Sequence, residues 1–481
     1  RPTSLPQGVM FKVALLLAVA GLASATVIER PIPYGHAAFT YAPLHCTQNP
    51  CDVVPSCNKA HWADTIGDYN SGNPTNESNI NIVYAYGGDI EFWAGKDTPH
   101  GCWYPASTDL SVCNVSVFFD PNNNAAAEVY LQSPGVTNIV ALIDGRMDGW
   151  VQISAYNDYD ECKFGDFYPR LMNLTDASLQ RLGEDTARLY CASDIVQGVQ
   201  IDLEPYVEPY REALEKYVAY TSKALLDEDK QFGCRNDEFP NGRAISYFTF
   251  AHNHKPSFLD ALGPNGYFVF SGYDLFPKDD QFSYNTVDEF RDKLRKEISY
   301  IRPVIGTTGR FTLAVPISAS CHEYEQYVPM HGDGCGPACT GKVNDAKMHE
   351  YVQAVFDVLL DPATTNATGG LFCYNETAQS QFTGLSLWGF SFEMTYPPMK
   401  WFANDFFPPS PSDEAMQVLR ANLPKLSDGT TCIEPSDNCQ QASGRANGCA
   451  CTHSEQCASD WCTGVCSDKP PADFLERIAV A

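Results

Sequence analysis

Two carboxylates that stand two residues apart, Asp202 and Glu204, end a short apolar run and are the clearest candidates for acid chemistry in this sequence. Side chains alternate across a strand, so Gln200, Asp202 and Glu204 share one face, while Ile201 and Leu203 take the other. In a barrel of parallel strands, catalytic groups collect on the inward face near the carboxyl ends. The spacing therefore predicts a proton donor beside a helper carboxylate. The alternative is a solvated strand end that caps a helix.

Eight apolar runs of strand length predict the framework that must position these acids. They lie at residues 82–86, 115–119, 139–143, 199–203, 245–250, 267–270, 311–316 and 385–390. Helical spacing predicts helices between them, most clearly at 287–301 behind the cap candidates Asn285 and Thr286, and again at 347–360 and 413–423. This alternation predicts an α/β fold, a (β/α)8 TIM barrel with its active site at the strand carboxyl ends.

The overall composition limits the size of the core and the choice of partners. A chain of 481 residues that is 44% hydrophobic can bury one large core and carry an appendage. Its 32 basic and 59 acidic residues give a net charge of −27, which repels phosphate backbones and anionic membranes. We therefore expect no nucleic-acid partner. Apart from the predicted signal at 13–22, no apolar run approaches membrane-spanning length, so no membrane span is expected. We also expect a monomer that needs no cofactor or metal.

A secretory signal is predicted from Met10, which is followed by Lys12, an apolar stretch at 13–22 and small residues at 23–25. The mature chain is expected to begin near Thr26, and residues 1–9 are not expected to take part in the fold. The 19 cysteines of an exported chain indicate disulfides. Glycosylation is indicated by acceptor asparagines at Asn76, Asn114, Asn173, Asn366 and Asn375. The sequence thus predicts a secreted, extracellular glycoprotein.

Composition divides the chain into five segments. They are the upstream residues with the signal (1–25), a disulfide-stapled N-terminal loop region (26–79), the barrel (80–430), a cysteine-rich disulfide module (431–470) and a tail (471–481).

The cysteine-rich module has too few apolar residues to form a core, so its seven cysteines must hold it together as disulfides. His453 beside these thiols suggests zinc as a lesser alternative, because an oxidising compartment favours disulfides. Seven is an odd number, so one cysteine pairs outside the module or stays free. We expect the module to be a stalk or spacer; the alternative is that it binds polysaccharide through Trp461.

The run QGVQIDLE at residues 197–204 resembles the DxxDxDxE signature of glycoside hydrolase family 18, the chitinases and chitinase-like proteins, which ends the fourth barrel strand. Asp202 and Glu204 match the last two acids of the signature, whereas Gln197 and Gln200 replace the first two.

Two further positions downstream carry the same resemblance, in the right order along the chain. Tyr273 and Asp274 resemble the tyrosine and aspartate that end the sixth strand, and Trp388 resembles the tryptophan of the eighth strand. Residues 141–145, ALIDG, occupy the third-strand place where the family shows SxGG, and they match it poorly. The resemblance covers about residues 79–423.

The resemblance implies a retaining hydrolase of β-1,4-linked N-acetylglucosamine, in chitin or in N-glycan cores, that works by substrate assistance. In that mechanism the acetamido oxygen of the sugar attacks the anomeric carbon. It implies Glu204 as proton donor, with Asp202 holding the acetamido nitrogen and stabilising positive charge. Tyr273 would donate to the acetamido oxygen, and Trp388 would floor the sugar site.

The glutamine at position 200 changes the chemistry that the resemblance implies, because an amide can hydrogen-bond Asp202 but cannot share a proton with it. Our hypothesis is that hydrolysis survives with an altered acid limb. One alternative is a noncatalytic lectin that binds N-acetylglucosamine oligosaccharides. Another is a barrel glycosidase of a different family, in which Glu204 works with a second carboxylate such as Glu393 or Asp274.

Polar residues in the loops that follow the predicted strands supply further candidates for substrate contact. Asp144 is a candidate for binding sugar hydroxyls, and Trp150 is a candidate for stacking on a neighbouring sugar ring. Gln200 and Asp274 are further candidates for substrate binding. The histidines at 252 and 254 have the spacing of two metal ligands. The sequence shows no third ligand, so no metal site is predicted.

Overall fold

The computed structural model describes residues 31–40, 59–93, 114–119, 130–145, 171–172, 174–203, 211–273, 275, 286–317, 325–330, 336–343, 348–377, 379–388 and 413–432. Within these residues, the strands are β1 His36–Thr40, β2 Ile80–Trp93, β3 Asn114–Phe119, β4 Asn138–Gly145, β5 Val196–Asp202, β6 Ala244–Thr249, β7 Gly266–Ser271, β8 Arg310–Pro316, β9 Glu325–Met330, β10 Gly336–Val343 and β11 Phe382–Trp388.

Eight of these strands close into a parallel barrel. The order around it is β1, β11, β8, β7, β6, β5, β4 and β2, and a pairing of β1 with β2 completes the ring. The remaining strands are antiparallel additions, with β3 paired to the outer part of β2 and β9 paired to β10. The structure is a (β/α)8 barrel, as the alternation of patterns predicts.

Helices cover the outside of the barrel. They are α1 Lys59–Ser71, α2 Asp176–Cys191, α3 Arg211–Leu226, α4 Ser257–Leu262, α5 Val287–Ile305, α6 Met348–Leu359, α7 Pro362–Thr368 and α8 Asp413–Ser427. The three helices predicted most clearly from sequence, α5, α6 and α8, are confirmed. The hydroxyl of Thr286 caps α5 by accepting from the backbone N–H of Glu289.

Two apolar clusters separate the inside of the barrel from the helical layer. The outer cluster joins strands to helices and includes Val199 and Ile201 of β5. The inner cluster is formed by Ile32, Ala37, Phe39, Ile82, Tyr84, Val140, Ala244, Phe248, Tyr267, Val269, Tyr273 and Ala314. The inner side chains fill the barrel, so it is a packed core with its accessible groups at the rim.

One of the eight predicted barrel strands is wrong, and one barrel strand lies outside the predicted set. Residues 115–119 form β3, which lies antiparallel on β2 and is not a barrel strand. The missing strand is β1, which lies in the region predicted as a loop, and α1 lies there as well. The barrel therefore begins before residue 80. The five residues of β1 read HAAFT and are all buried, so no alternation marks the strand, and its apolar run is only three residues long.

The seam between β1 and β11 depends on close backbone approach and on a histidine. A Cβ on Gly384 would lie 1.8 Å from the carbonyl oxygen of Gly35, so only glycine fits there. The backbone N–H of Leu385 donates to Nδ1 of His36 at 3.3 Å, and the same imidazole hydrogen-bonds the backbone of Glu77. Burial lowers the pKa of His36 to about 4, which keeps the ring neutral in this seam.

Disulfides join Cys191 to Cys234 and Cys373 to Cys432. Cys432 is the first of the seven cysteines near the C-terminus, so the alternative in which one of them pairs outside the module is confirmed. The rest of that module, the tail and the predicted signal lie outside the described residues. In the part of the chain that is described, no helix is both long enough and apolar enough to cross a membrane.

Candidate active site at the carboxyl end of the barrel

The inward face of β5 carries Gln200 and Asp202. Gly198, two residues before Gln200, pairs in register with Val140 and Ala244 of the inner cluster, so this alternate set faces the barrel interior. Gln200 is fully buried, whereas Asp202, at the last position of the strand, is partly exposed. The strand thus brings a carboxylate to the rim of the barrel and leaves an amide beneath it.

Aromatic rings form a floor at the same end of the barrel. Trp388 is the last residue of β11, and its indole stacks on the ring of Tyr273 with centroids 5.6 Å apart and planes 10° apart. Phe39 meets Trp388 edge-on at 5.7 Å, and Phe248 meets Phe39 edge-on at 6.3 Å. Trp388 is partly exposed above the buried rings. An exposed indole on a rigid aromatic base can hold the apolar face of a sugar ring.

Tyr273 lies two residues beyond the end of β7 in a tight local turn. Its N–H donates to Oγ of Ser271 at 3.3 Å, and the Ser271 hydroxyl donates to the carbonyl oxygen of Tyr273 at 2.8 Å. These two bonds fix the backbone at Tyr273, and stacking on Trp388 orients its ring. Only 5% of Tyr273 is exposed.

A layer of buried hydroxyls lies inside the barrel below this floor. The hydroxyls of Tyr84 and Tyr267 are 3.0 Å apart, and Thr312 is 2.9 Å from the Ser386 hydroxyl. Burial raises the pKa of Tyr267 to about 12 and holds the pKa of Tyr84 well above its usual value, so both phenols stay neutral. The Gln200 amide has no hydrogen-bond partner among the described residues. A buried amide in this condition is a place where a water or a substrate group can bind.

Gln197 occupies a different part of the barrel from Gln200. Successive residues of β4 pair with Val196 and Gly198, so Gln197 is an extra residue at the start of β5. Its amide donates to the carbonyl oxygen of Pro31 at 2.8 Å. Five residues of strand separate it from Asp202, a distance of about 16 Å. Gln197 therefore anchors the segment before β1 and lies far from the candidate site.

Backbone register places three acidic residues side by side at the carboxyl end. Asp89 of β2 pairs with Asp144 of β4, and Asp144 pairs with Asp202 of β5. The sequence analysis identified Asp144 and Asp202 but not Asp89, because β2 extends well past the apolar run at 82–86 from which it was predicted. The other predicted site residues, namely Glu204, Asp274, Trp150 and Glu393, lie outside the described residues.

Both histidines after β6 make contacts that fit a structural role. His252 Nδ1 lies 2.7 Å from Oε2 of the buried Glu297, and the His252 N–H donates to Oε1. His254 is buried with Nε2 2.6 Å from the Thr249 hydroxyl, and burial together with the charges of Arg211 and His252 holds its pKa well below the usual value. Among the described residues, no group of three or more His, Cys, Asp or Glu side chains could hold a metal ion.

Comparison with known proteins adds structural likenesses at low sequence identity. No family model and no curated protein matches the sequence. Solved structures do match it. Several of them are chitinases of glycoside hydrolase family 18.

Three of these structures illustrate the likeness. The family 18 chitinase ChiB of Flavobacterium johnsoniae is 11% identical, with 82% of this chain and 95% of that chain covered and a TM-score of 0.36. The Cycas revoluta chitinase, solved with allosamidin, is 11% identical over 81% and 99% of the two chains, with a TM-score of 0.36. YKL-39, solved with chitooligosaccharides, is 8% identical over 81% and 99%, with a TM-score of 0.39. At these scores the likeness is loose, and the barrel is established by its own strand pairing.

Proposed function

We propose that this protein is a secreted glycoside hydrolase that cleaves β-1,4-linked N-acetylglucosamine by a substrate-assisted, retaining mechanism. One observation carries the proposal: Asp202 and the stacked pair of Trp388 and Tyr273 lie at the same end of one closed barrel. A carboxylate beside an aromatic sugar platform is the combination that this chemistry needs.

The proposed mechanism uses four residues. Trp388 holds the sugar ring at the cleavage position. Glu204 protonates the leaving oxygen, and the nearby charge of Asp202 keeps that donor protonated at neutral pH. The acetamido oxygen of the sugar attacks the anomeric carbon. Asp202 accepts a hydrogen bond from the acetamido N–H, and the Tyr273 hydroxyl donates one to the acetamido oxygen. Water then attacks the anomeric carbon and opens the oxazolinium ring, and the proton that this water loses returns to Glu204.

The test compares the native protein with Glu204→Gln on N-acetylglucosamine oligomers and follows both product formation and binding. The amide preserves the size of the side chain but has no acidic proton to give. We expect turnover to fall by at least about 100-fold while binding persists. Equal turnover in both proteins would exclude Glu204 as the proton donor.

A noncatalytic lectin on the same barrel is the second candidate, and a specific observation favours it. Gln200, two residues before Asp202 on the same face of β5, is a buried amide at the position where the family 18 signature has a carboxylate. The same experiment separates the two functions, because a lectin shows no turnover in either protein and equal binding in both.

A two-carboxylate glycosidase of another family differs from the proposal in its substrate requirement. Substrate assistance needs the acetamido group, whereas a nucleophilic or base carboxylate such as Asp274 or Glu393 does not. Cleavage of β-1,4-linked glucose oligomers as fast as N-acetylglucosamine oligomers would therefore favour the two-carboxylate mechanism.

Secretion is part of the proposal and is supported by the surface and the cysteines. The two disulfides found among the described residues suit an oxidising compartment. Three acceptor asparagines in the described part of the chain, Asn76, Asn366 and Asn375, are exposed. We expect recovery of the protein from the medium, with a loss of mass after enzymatic deglycosylation; retention in the cell without glycans would contradict this.

A further inference from the structure

The hydrogen-bonded ladder between β5 and β6 ends before Asp202, the last residue of β5. Its last pair in register is Ile201 with Tyr247. Beyond that pair, β6 continues beside β7 as far as Thr249 and Phe270. The carbonyl group of Leu203 therefore lies two residues past the end of this ladder. A buried carbonyl at such a point needs another donor.

The donor is the side chain of Tyr247. Its hydroxyl donates a hydrogen bond to the carbonyl oxygen of Leu203, and both residues are fully buried. The Tyr247 ring is held by Phe258 at 4.8 Å and by the edge of His254 at 5.6 Å. His254 is fixed in turn by the hydroxyl of Thr249. The hydroxyl is thus supported by rings that are closely packed in the core.

This bond constrains the backbone between the two candidate acids. A peptide unit is planar, so a donor that fixes the Leu203 carbonyl also fixes the plane of the peptide bond at the end of Leu203. Asp202 directly precedes Leu203, so only the φ and ψ angles of Leu203 separate its peptide unit from the fixed carbonyl. We propose that Tyr247 is a positioning residue, which fixes the backbone at Leu203, immediately after the carboxylate of Asp202. The inference rests on the proposed function only in assigning the chemistry to these acids.

The test uses Tyr247→Phe, which removes the hydroxyl and keeps the ring. A matched control is Tyr217→Phe in α3, because Tyr217 is also fully buried and its hydroxyl has a partner, Thr186, at 3.1 Å. Both variants lose one buried phenol hydroxyl. Only the first loses a contact to the end of β5.

Hydrogen–deuterium exchange of a peptide that spans residues 200–206 tests the positioning role without reference to activity. We expect exchange in this peptide to be at least about threefold faster in Tyr247→Phe, and to match the native protein in Tyr217→Phe. The same exchange rate in all three proteins would overturn the proposal, as would equal acceleration in both variants.

Kinetics on N-acetylglucosamine oligomers test the consequence for catalysis. We expect kcat to fall about 10- to 100-fold in Tyr247→Phe, because a small displacement of a catalytic group has this effect, while KM changes less than about twofold. The alkaline limb of the kcat/KM profile should move to lower pH, since a donor farther from the Asp202 charge loses its proton more readily. Native kcat and an unmoved limb in this variant would overturn the inference. A native protein without turnover would overturn the proposed function, and the exchange comparison would still decide the role of Tyr247.

Discussion

The indole of Trp388 lies parallel to the ring of Tyr273, with their centroids 5.6 Å apart. These residues come from different units of the barrel, Trp388 from the end of β11 and Tyr273 from just beyond β7. Because β8 is the one strand between β7 and β11, the two carboxyl ends are close enough for the rings to stack. The pair forms a rigid surface whose upper ring is partly exposed.

We expect Trp388→Ala to weaken the binding of N-acetylglucosamine oligomers about 5- to 30-fold, because an aromatic contact contributes about 1–2 kcal/mol. Trp388→Phe, which keeps a ring over Tyr273, should recover most of the affinity. Titration calorimetry measures both. Native affinity in the alanine variant would show that the sugar binds elsewhere.

The amide at Gln200 is expected to set the acid limb of the pH–rate profile. Gln200→Asp places a second carboxyl group two residues before Asp202 on the same face of β5. Because two neighbouring negative charges repel, the pair takes up its first proton at higher pH than a single carboxylate does. The acid limb of kcat/KM should therefore move to higher pH in this variant. The control is Gln197→Asp, which makes the same chemical change at the far end of β5 and should leave the limb in place. Coincident profiles for the native protein and Gln200→Asp would contradict the hypothesis.

His36 predicts a loss of stability in acid. Its pKa is about 4 in the fold and near 6.5 when the chain is unfolded, so the unfolded chain binds the proton first as the pH falls. Its contribution to the free energy of unfolding is fully present above pH 6.5 and declines down to about pH 4, by on the order of 3 kcal/mol.

The measurement is denaturant unfolding at a series of pH values. His36→Asn, which keeps an acceptor for the Leu385 N–H, should show a flatter dependence between pH 6.5 and 4. His349→Asn makes the same chemical change at a partly exposed position of α6 and is the matched control. An unchanged slope in His36→Asn would mean that other groups cause the acid loss.

The disulfide between Cys373 and Cys432 is expected to support stability and not catalysis. It lies beside Phe372, which packs on Phe311 and Phe382 at the amino ends of their strands, away from the candidate site. Cys432→Ser should lower the free energy of unfolding by about 2–4 kcal/mol, given the 59-residue separation of the two cysteines. The kcat of the variant should remain native. A loss of kcat in a folded variant would place this end of the chain in contact with the site.

Local pattern was sufficient for much of this fold. Strand length, apolar content and helical spacing located seven of the eight barrel strands and the clearest helices, because each depends on residues close together in sequence. The alternation of β5 likewise follows from backbone geometry alone, which is why Gln200 and Asp202 could be assigned one face in advance.

The sequence therefore determined the barrel class and the face of β5 that carries the acids. Tertiary structure decided that β1 closes the barrel in place of residues 115–119, that Cys432 pairs with Cys373, and that Tyr273 stacks on Trp388. It also decided that the Tyr247 hydroxyl meets the Leu203 carbonyl. These contacts join residues 44 or more positions apart, and no local periodicity encodes them. They exist because closing the ring of strands brings distant segments to one rim, where packing and unpaired backbone groups select the partners.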